Sequence, residues 1–141
     1  MKIGVIDGSN YFKGLLLLVR KDRVVSEPEI ELMKRIGKNL GFEKEFCENA
    51  INEILYNTHI DDTPSKFVSK NIAEKFIRDG LRLALSDSQM HPAEEDWLKL
   101  TAESNGFDED WFRKQKTLVT QQLLLSEKME ADDLRIEYAR Y

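Results

Sequence analysis

Residues 22–42 read DRVVSEPEIELMKRIGKNLGF and residues 87–107 read DSQMHPAEEDWLKLTAESNGF. Laid over one another at an offset of 65, they put Asp22 on Asp87, Glu29 on Glu94, Lys34 on Lys99 and Gly41-Phe42 on Gly106-Phe107. The match extends outward to residues 15–46 against 80–111. Leu16 falls on Leu81, Leu18 on Leu83, Val25 on Met90, Leu32 on Trp97, Met33 on Leu98 and Phe46 on Trp111. A self-match of this kind marks two copies of one supersecondary unit, each too small to bury its own apolar face.

Within each copy the local signals are helical. In Ser26-Glu27-Pro28-Glu29, the serine can cap a helix, the proline is tolerated in its first turn and Glu29 completes a capping box. Ile30, Met33, Ile36, Gly37 and Leu40 follow at helical spacing, and Gly41 stands where a left-handed C′ residue is expected. A third helix from about Glu43 carries Phe46, Cys47, Ala50, Ile51, Ile54 and Leu55 and ends near Asn57. The connector from His59 to Ser65 contains Asp61-Asp62-Thr63-Pro64. The plan then repeats, with a helix from about Lys66 to Leu85, a break at Asp87-Ser88-Gln89, and a helix opened by Pro92 and Glu94 and stopped at Gly106. A further helix is capped by Asp108. Tyr11 to about Lys21 reads as a buried helix, with Ser9 or Asn10 as its cap, and Met1 to Ile6 is the one β-like run. The expected architecture is all-α: a single domain of six or seven helices with a pseudo-two-fold duplication. Repeat one covers about 10–57 and repeat two about 66–125, followed by a charged tail, 126–141.

Composition bounds the function classes. The chain has 141 residues, 41% of them apolar and 33% charged, which fits a globular domain with a real core. The net charge of −5 arises in the second half: residues 1–60 hold 9 basic and 9 acidic side chains, residues 61–141 hold 12 and 17. Phosphate binding needs clustered Lys and Arg, so nucleic acid is not an expected partner. A lone cysteine, Cys47, forms no internal disulfide and no cysteine-based zinc site, and its helical context suits a small buried hydrophobe. The longest apolar run, Leu15 to Val19, falls far short of the ~20 residues that span a bilayer. With no leader-like segment, the expectation is a cytoplasmic protein without membrane insertion.

The motif carried by Asp22, Val25, Glu29, Gly41 and Phe42, and again by Asp87, Met90, Glu94, Gly106 and Phe107, resembles the TerB-like (tellurite-resistance) family. The resemblance implies an all-helical pseudo-symmetric bundle, an acidic surface that binds divalent cations, and a role in stress or chemical resistance as an interaction module. In that family a Gly directly follows the Asp; here the positions hold Arg23 and Ser88, and Arg23 sets a positive charge beside the first candidate ligand.

Asp22, Glu29, Asp87 and Glu94 are therefore the candidate metal ligands, four hard oxygen donors suited to Ca²⁺ or Mg²⁺ if the pseudo-two-fold brings the turns together. The same residues also serve as helix caps, and a repeated fold repeats its caps, so the cap reading stands first. Neither turn has the ligand spacing of an EF-hand. Glu94-Glu95-Asp96 and Asp108-Glu109-Asp110 fall in first turns of helices, where the dipole favours them, and together could form an acidic face for a basic partner. His59 and His91 are the only histidines; His91 sits where Ser26 sits in the first copy, which suits an N-cap or an exposed turn, and no Ser/His/Asp set is recognisable. Trp97 and Trp111 read as core. Ile6-Asp7-Gly8-Ser9-Asn10 resembles the first strand of PIN- and NYN-type metal-dependent nucleases, which would need further parallel strands that the sequence does not supply. The leading expectation is a non-enzymatic module with a protein partner and weak divalent-cation binding. The alternatives are a metal-dependent hydrolase or nuclease using paired carboxylates, and a metal-independent acidic scaffold.

Overall fold

Leu15-Leu16-Leu17-Leu18-Val19 sets the packing of the whole chain, because a helix apolar on all sides must be surrounded. The computed structural model describes residues 4–21, 27–56, 61–85 and 90–125 (for Pro28 and Glu29 the backbone alone) and holds six helices. They are α1 (Val5–Arg20), α2 (Glu27–Asn39), α3 (Lys44–Tyr56), α4 (Lys70–Leu85), α5 (Pro92–Ser104) and α6 (Glu109–Leu125). Among the described residues there is no strand. α1 buries ten of its sixteen residues and touches α2, α3, α4 and α5, while α6 packs on α4 and α5. Each fully buried Leu or Phe in such a core contributes roughly 1.5–3 kcal/mol.

The helices fall into two runs of three. α4, α5 and α6 begin 65 residues after α1, α2 and α3 respectively, and within each run all three helices touch one another. The turn after α2 and the turn after α5 have the same chemistry. Gly41 (φ 92°) and Gly106 (φ 89°) occupy the left-handed region that only glycine enters without strain. Phe42 N–H donates to Gly37 O at 3.0 Å and Phe107 N–H to Ala102 O at 2.9 Å. Gly41 N–H donates to Lys38 O and Gly106 N–H to Glu103 O, both at 3.0 Å. Both are Schellman motifs, and the aromatic residue that follows each glycine folds back onto its own run. Phe42 meets Phe46 at 4.8 Å between centroids, and Phe107 stacks on Trp111 at 4.0 Å.

Two expectations from the sequence are corrected. The β-like reading of residues 1–6 fails where it can be checked: Val5 and Ile6 open α1, which continues through Ser9 and Asn10, so neither residue caps it. Helical winding there turns Asp7 inward, toward the start of α4. Residues 1–3 lie outside the described residues. The fourth helix starts at Lys70 rather than Lys66, because Lys66 to Ser69 run non-helically beneath α1, with Val68 and Ser69 N–H held by Asp7. No helix among the described residues is long and apolar enough to cross a membrane.

The close approach of α1 to α4 is made at Gly14. A Cβ there would lie 2.6 Å from Phe76 Cζ and 2.7 Å from Ser65 Oγ. The Phe76 ring has nowhere to go: it meets Tyr11 edge-on at 5.3 Å, Phe67 at 5.1 Å and Trp97 at 6.1 Å. Gly14→Ala is therefore expected to destabilise by about 1–2 kcal/mol, overpacking outweighing the ~1 kcal/mol of helix propensity that alanine adds. Thermal denaturation checks this, and a raised midpoint would mean that the two helices are not in contact here.

Candidate functional site

The connector between the two runs is tied down by side chains that come from far away in sequence. Asp7, 5% exposed in the first turn of α1, accepts Val68 N–H at 2.7 Å through Oδ1 and Ser69 N–H at 3.0 Å through Oδ2. Asn105 accepts Phe67 N–H at 2.9 Å and donates to Ser65 O at 2.8 Å. Trp97 Nε1 donates to Asp62 O at 2.8 Å, and Lys21 pairs with Asp62. The Lys21 ammonium holds the Asp62 carboxyl below the ordinary carboxylate range, so this contribution is present at neutral pH and fades as acid protonates the group. Thr63 bonds to Asp61 and lowers its pKa in the same way.

The candidate metal ligands are not assembled among the described residues. Asp22, Asp87 and the Glu29 side chain lie outside them. Glu94 is 7% exposed, and its Oε1 accepts His91 N–H at 3.0 Å while His91 Nδ1 accepts Ala93 N–H at 3.0 Å. This is a reciprocal capping box with Pro92 in the first turn. No three His, Cys, Asp or Glu side chains among the described residues form a group that could hold a metal ion. A cation therefore has no cage among the described residues.

The acidic first turns of α5 and α6 are interleaved with bases. Glu95 pairs with Lys116, Lys99 meets Glu109 at 2.9 Å, and Arg113 lies 3.6 Å from both Glu109 and Asp110. Lys99 and Glu109 shift each other's titration outward, the ammonium upward and the carboxyl downward, as an ion pair must. These pairs enclose a charged cleft of about 230 Å³. Trp97 is core, while Trp111 is half-buried on Phe107. His59 lies outside the described residues. Cys47 is buried, and burial pushes its thiol pKa up, which leaves it a packing group rather than a nucleophile.

A concave feature with an apolar interior lies between α1 and α3. It is an open groove of about 430 Å³. Leu17, Ala50 and Ile54 make its floor, and Phe46, 39% exposed, stands as one wall. Lys13, Glu53 and Asp61 supply charge at the rim. The corresponding space between α4 and α6 is bridged. There the positions 65 residues on from Lys13, Leu17 and Ala50 hold Arg78, Arg82 and Gln115. Arg78 Nε donates to Gln115 Oε1 at 3.0 Å, and Arg82 reaches Gln122 at 3.4 Å. Polar side chains thus bridge α4 to α6 at positions where α1 and α3 present Leu17 and Ala50. Sequence reading singled out none of Lys13, Leu17, Glu53 or Asp61 for a functional role. The signal that could have found them lies in the columns where the two runs disagree.

Comparison of the chain with protein-family models, with curated proteins and with solved structures finds no match.

Proposed function

We propose that the chain is a non-enzymatic, TerB-like protein-interaction module, built by duplication of a three-helix unit, that takes an apolar helix of a protein partner in the α1–α3 groove. The observation that carries this reading is the contrast between the groove and its counterpart. One run has an apolar-floored opening, and at the matching positions the other places Arg78, Arg82 and Gln115, with Arg78 bonded to Gln115 and Arg82 to Gln122. Helix-in-groove recognition needs an apolar trough flanked by charge that fixes register, and the groove has both. Duplication is supported by helix starts that recur at one offset and by the twin glycine turns. The TerB-like part rests on the motifs at Asp22–Phe42 and Asp87–Phe107, with the stress or resistance role that they imply. Its cation-binding part rests on Asp22, Glu29 and Asp87, Glu94 already being engaged in its cap. The groove, not the acidic turns, is therefore the working surface.

Photo-crosslinking from a genetically encoded probe tests this in producing cells. With the probe at Asn49, which lines the groove, a covalent adduct with a protein is expected; with the probe at Glu103, exposed near the end of α5, none is expected. Equal yields at the two positions, or no adduct at Asn49, would overturn the groove as the docking surface.

A further inference from the structure

Of the seven asparagines in the chain, Asn105 alone is followed by glycine. The pair is chemically fragile, because glycine has no Cβ to shield its backbone nitrogen from the amide carbon of the side chain before it. Asn105 also carries the tie between the connector and α5. Its Oδ1 accepts Phe67 N–H at 2.9 Å, and its Nδ2 donates to Ser65 O and to Thr101 O, both at 2.8 Å. Gly106 N–H donates to Glu103 O at 3.0 Å. The leaving nitrogen, the amide oxygen and the attacking nitrogen are thus all held while the connector is docked.

We propose that Asn105 is a deamidation site gated by the connector, a one-way modification of the junction between the two runs. With the connector released, Gly106 N gives up its proton to solvent base and attacks Asn105 Cγ. A new N–C bond closes a five-membered succinimide, the Cγ–Nδ2 bond breaks, and Nδ2 takes a solvent proton and leaves as ammonia. Water then opens the ring at either carbonyl to give aspartate or isoaspartate, and nothing is oxidised or reduced. Neither product restores the tie. An aspartate still accepts Phe67 N–H, but its second oxygen faces Ser65 O and Thr101 O with no proton to share. Isoaspartate adds a methylene to the main chain where Phe107 N–H returns to Ala102 O. Deamidation therefore leaves the junction open for more of the time.

Peptide mapping by mass spectrometry tests the assignment, on the full chain held in warm, mildly alkaline buffer beside a synthetic peptide of residues 102–108 as the unprotected reference. Ammonia loss at Asn105 should be slower in the parent chain than in the peptide by about tenfold or more, since only the open fraction reacts. Asp7→Ala, which frees Val68 and Ser69 of the connector, should raise the rate in the chain by about tenfold, and Asp7→Asn should fall between. Ile51→Ala removes core packing from α3 and leaves the ties of the connector in place, so its rate should stay within about twofold of the parent; Ile51→Val serves if the alanine variant does not fold. Asn105→Asp, the product made directly, should lower the thermal midpoint and raise hydrogen exchange first at Phe67 and its neighbours. Deamidation of the parent at the peptide's rate, no gain in either Asp7 variant, or an equal gain from the Ile51 variant overturns the gating. An Asn105→Asp chain as stable as the parent overturns the tie on which it rests.

Discussion

Asp79→Ala is expected to remove about 3–5 kcal/mol of stability, the cost of breaking a buried charged group away from its partners. Asp79 sits on α4 at 1% exposure, against α1. Tyr11 Oη donates to its Oδ2, and Arg82 donates to its Oδ1 at 3.1 Å. Tyr11 is itself fully buried, with its ring wedged against Phe67 and Phe76, so its hydroxyl cannot turn to water when the carboxylate is gone. Alanine would leave a buried hydroxyl and a guanidinium short of an acceptor, together with the space of the lost carboxylate. Against a typical total of ~5–15 kcal/mol this is a large fraction. For a chain of this size the thermal midpoint should fall by about 10–15 °C. Asp79→Asn keeps an acceptor for the tyrosine and gives up the charge, so it should lose less. Tyr11→Phe, which removes one donor and leaves Arg82 in place, should cost about 1–2 kcal/mol. Urea denaturation of the three variants orders them, and an Asp79→Ala chain as stable as the parent would mean that the α1–α4 contact is not held by this carboxylate.

The parts of this fold that sequence reading found are those whose cause lies within one turn of the chain. His91 and Glu94 cap each other across three residues, Asp108 Oδ1 accepts Trp111 N–H at 2.8 Å, and Gly41 and Gly106 end their helices with φ near 90°. The parts it missed depend on partners that spacing does not reveal. Val5 and Ile6 are apolar and β-branched, and a run of six residues carries too little periodicity to tell a strand from a helix start. The apolar pattern, continued by Phe67, places the start of α4 at about Lys66. Phe67 is indeed buried, but in an extended approach that Asp7 holds from 61 residues away. The groove was invisible for a different reason. It is set by what Leu17 and Ala50 lack relative to Arg82 and Gln115, and attention to matching columns passes over the mismatched ones.

Asp7→Ala should cost about 2–4 kcal/mol, and the variant series at this position separates a structural carboxylate from a catalytic one. Each N–H left without an acceptor away from water costs ~1–3 kcal/mol. Asp7 serves two N–H groups ahead of α4, one per oxygen, and its charge faces the positive end of that helix. Asn at this position keeps Oδ1 for Val68 and turns an NH₂ toward Ser69 N–H, two donors face to face, so Asp7→Asn should still lose about half of the effect. Glu, one methylene longer, overfills a site with 5% exposure and is no rescue. The nuclease-like resemblance of Ile6-Asp7-Gly8-Ser9-Asn10 makes the opposite forecast: a metal-binding aspartate at a strand end can become asparagine with little effect on folding and a large effect on activity. In this structure the residue lies inside a helix with both carboxylate oxygens committed to backbone. Hydrogen exchange gives the local readout. Loss of the carboxylate should raise exchange at Val68 and Ser69, which lose their acceptor, and then in the first turn of α4, whose Ile72 N–H is held by Ser69 Oγ, ahead of any change in α2 or α3. Unaltered exchange at Val68 and Ser69, with the thermal midpoint held, would return Asp7 to the pool of candidate catalytic groups.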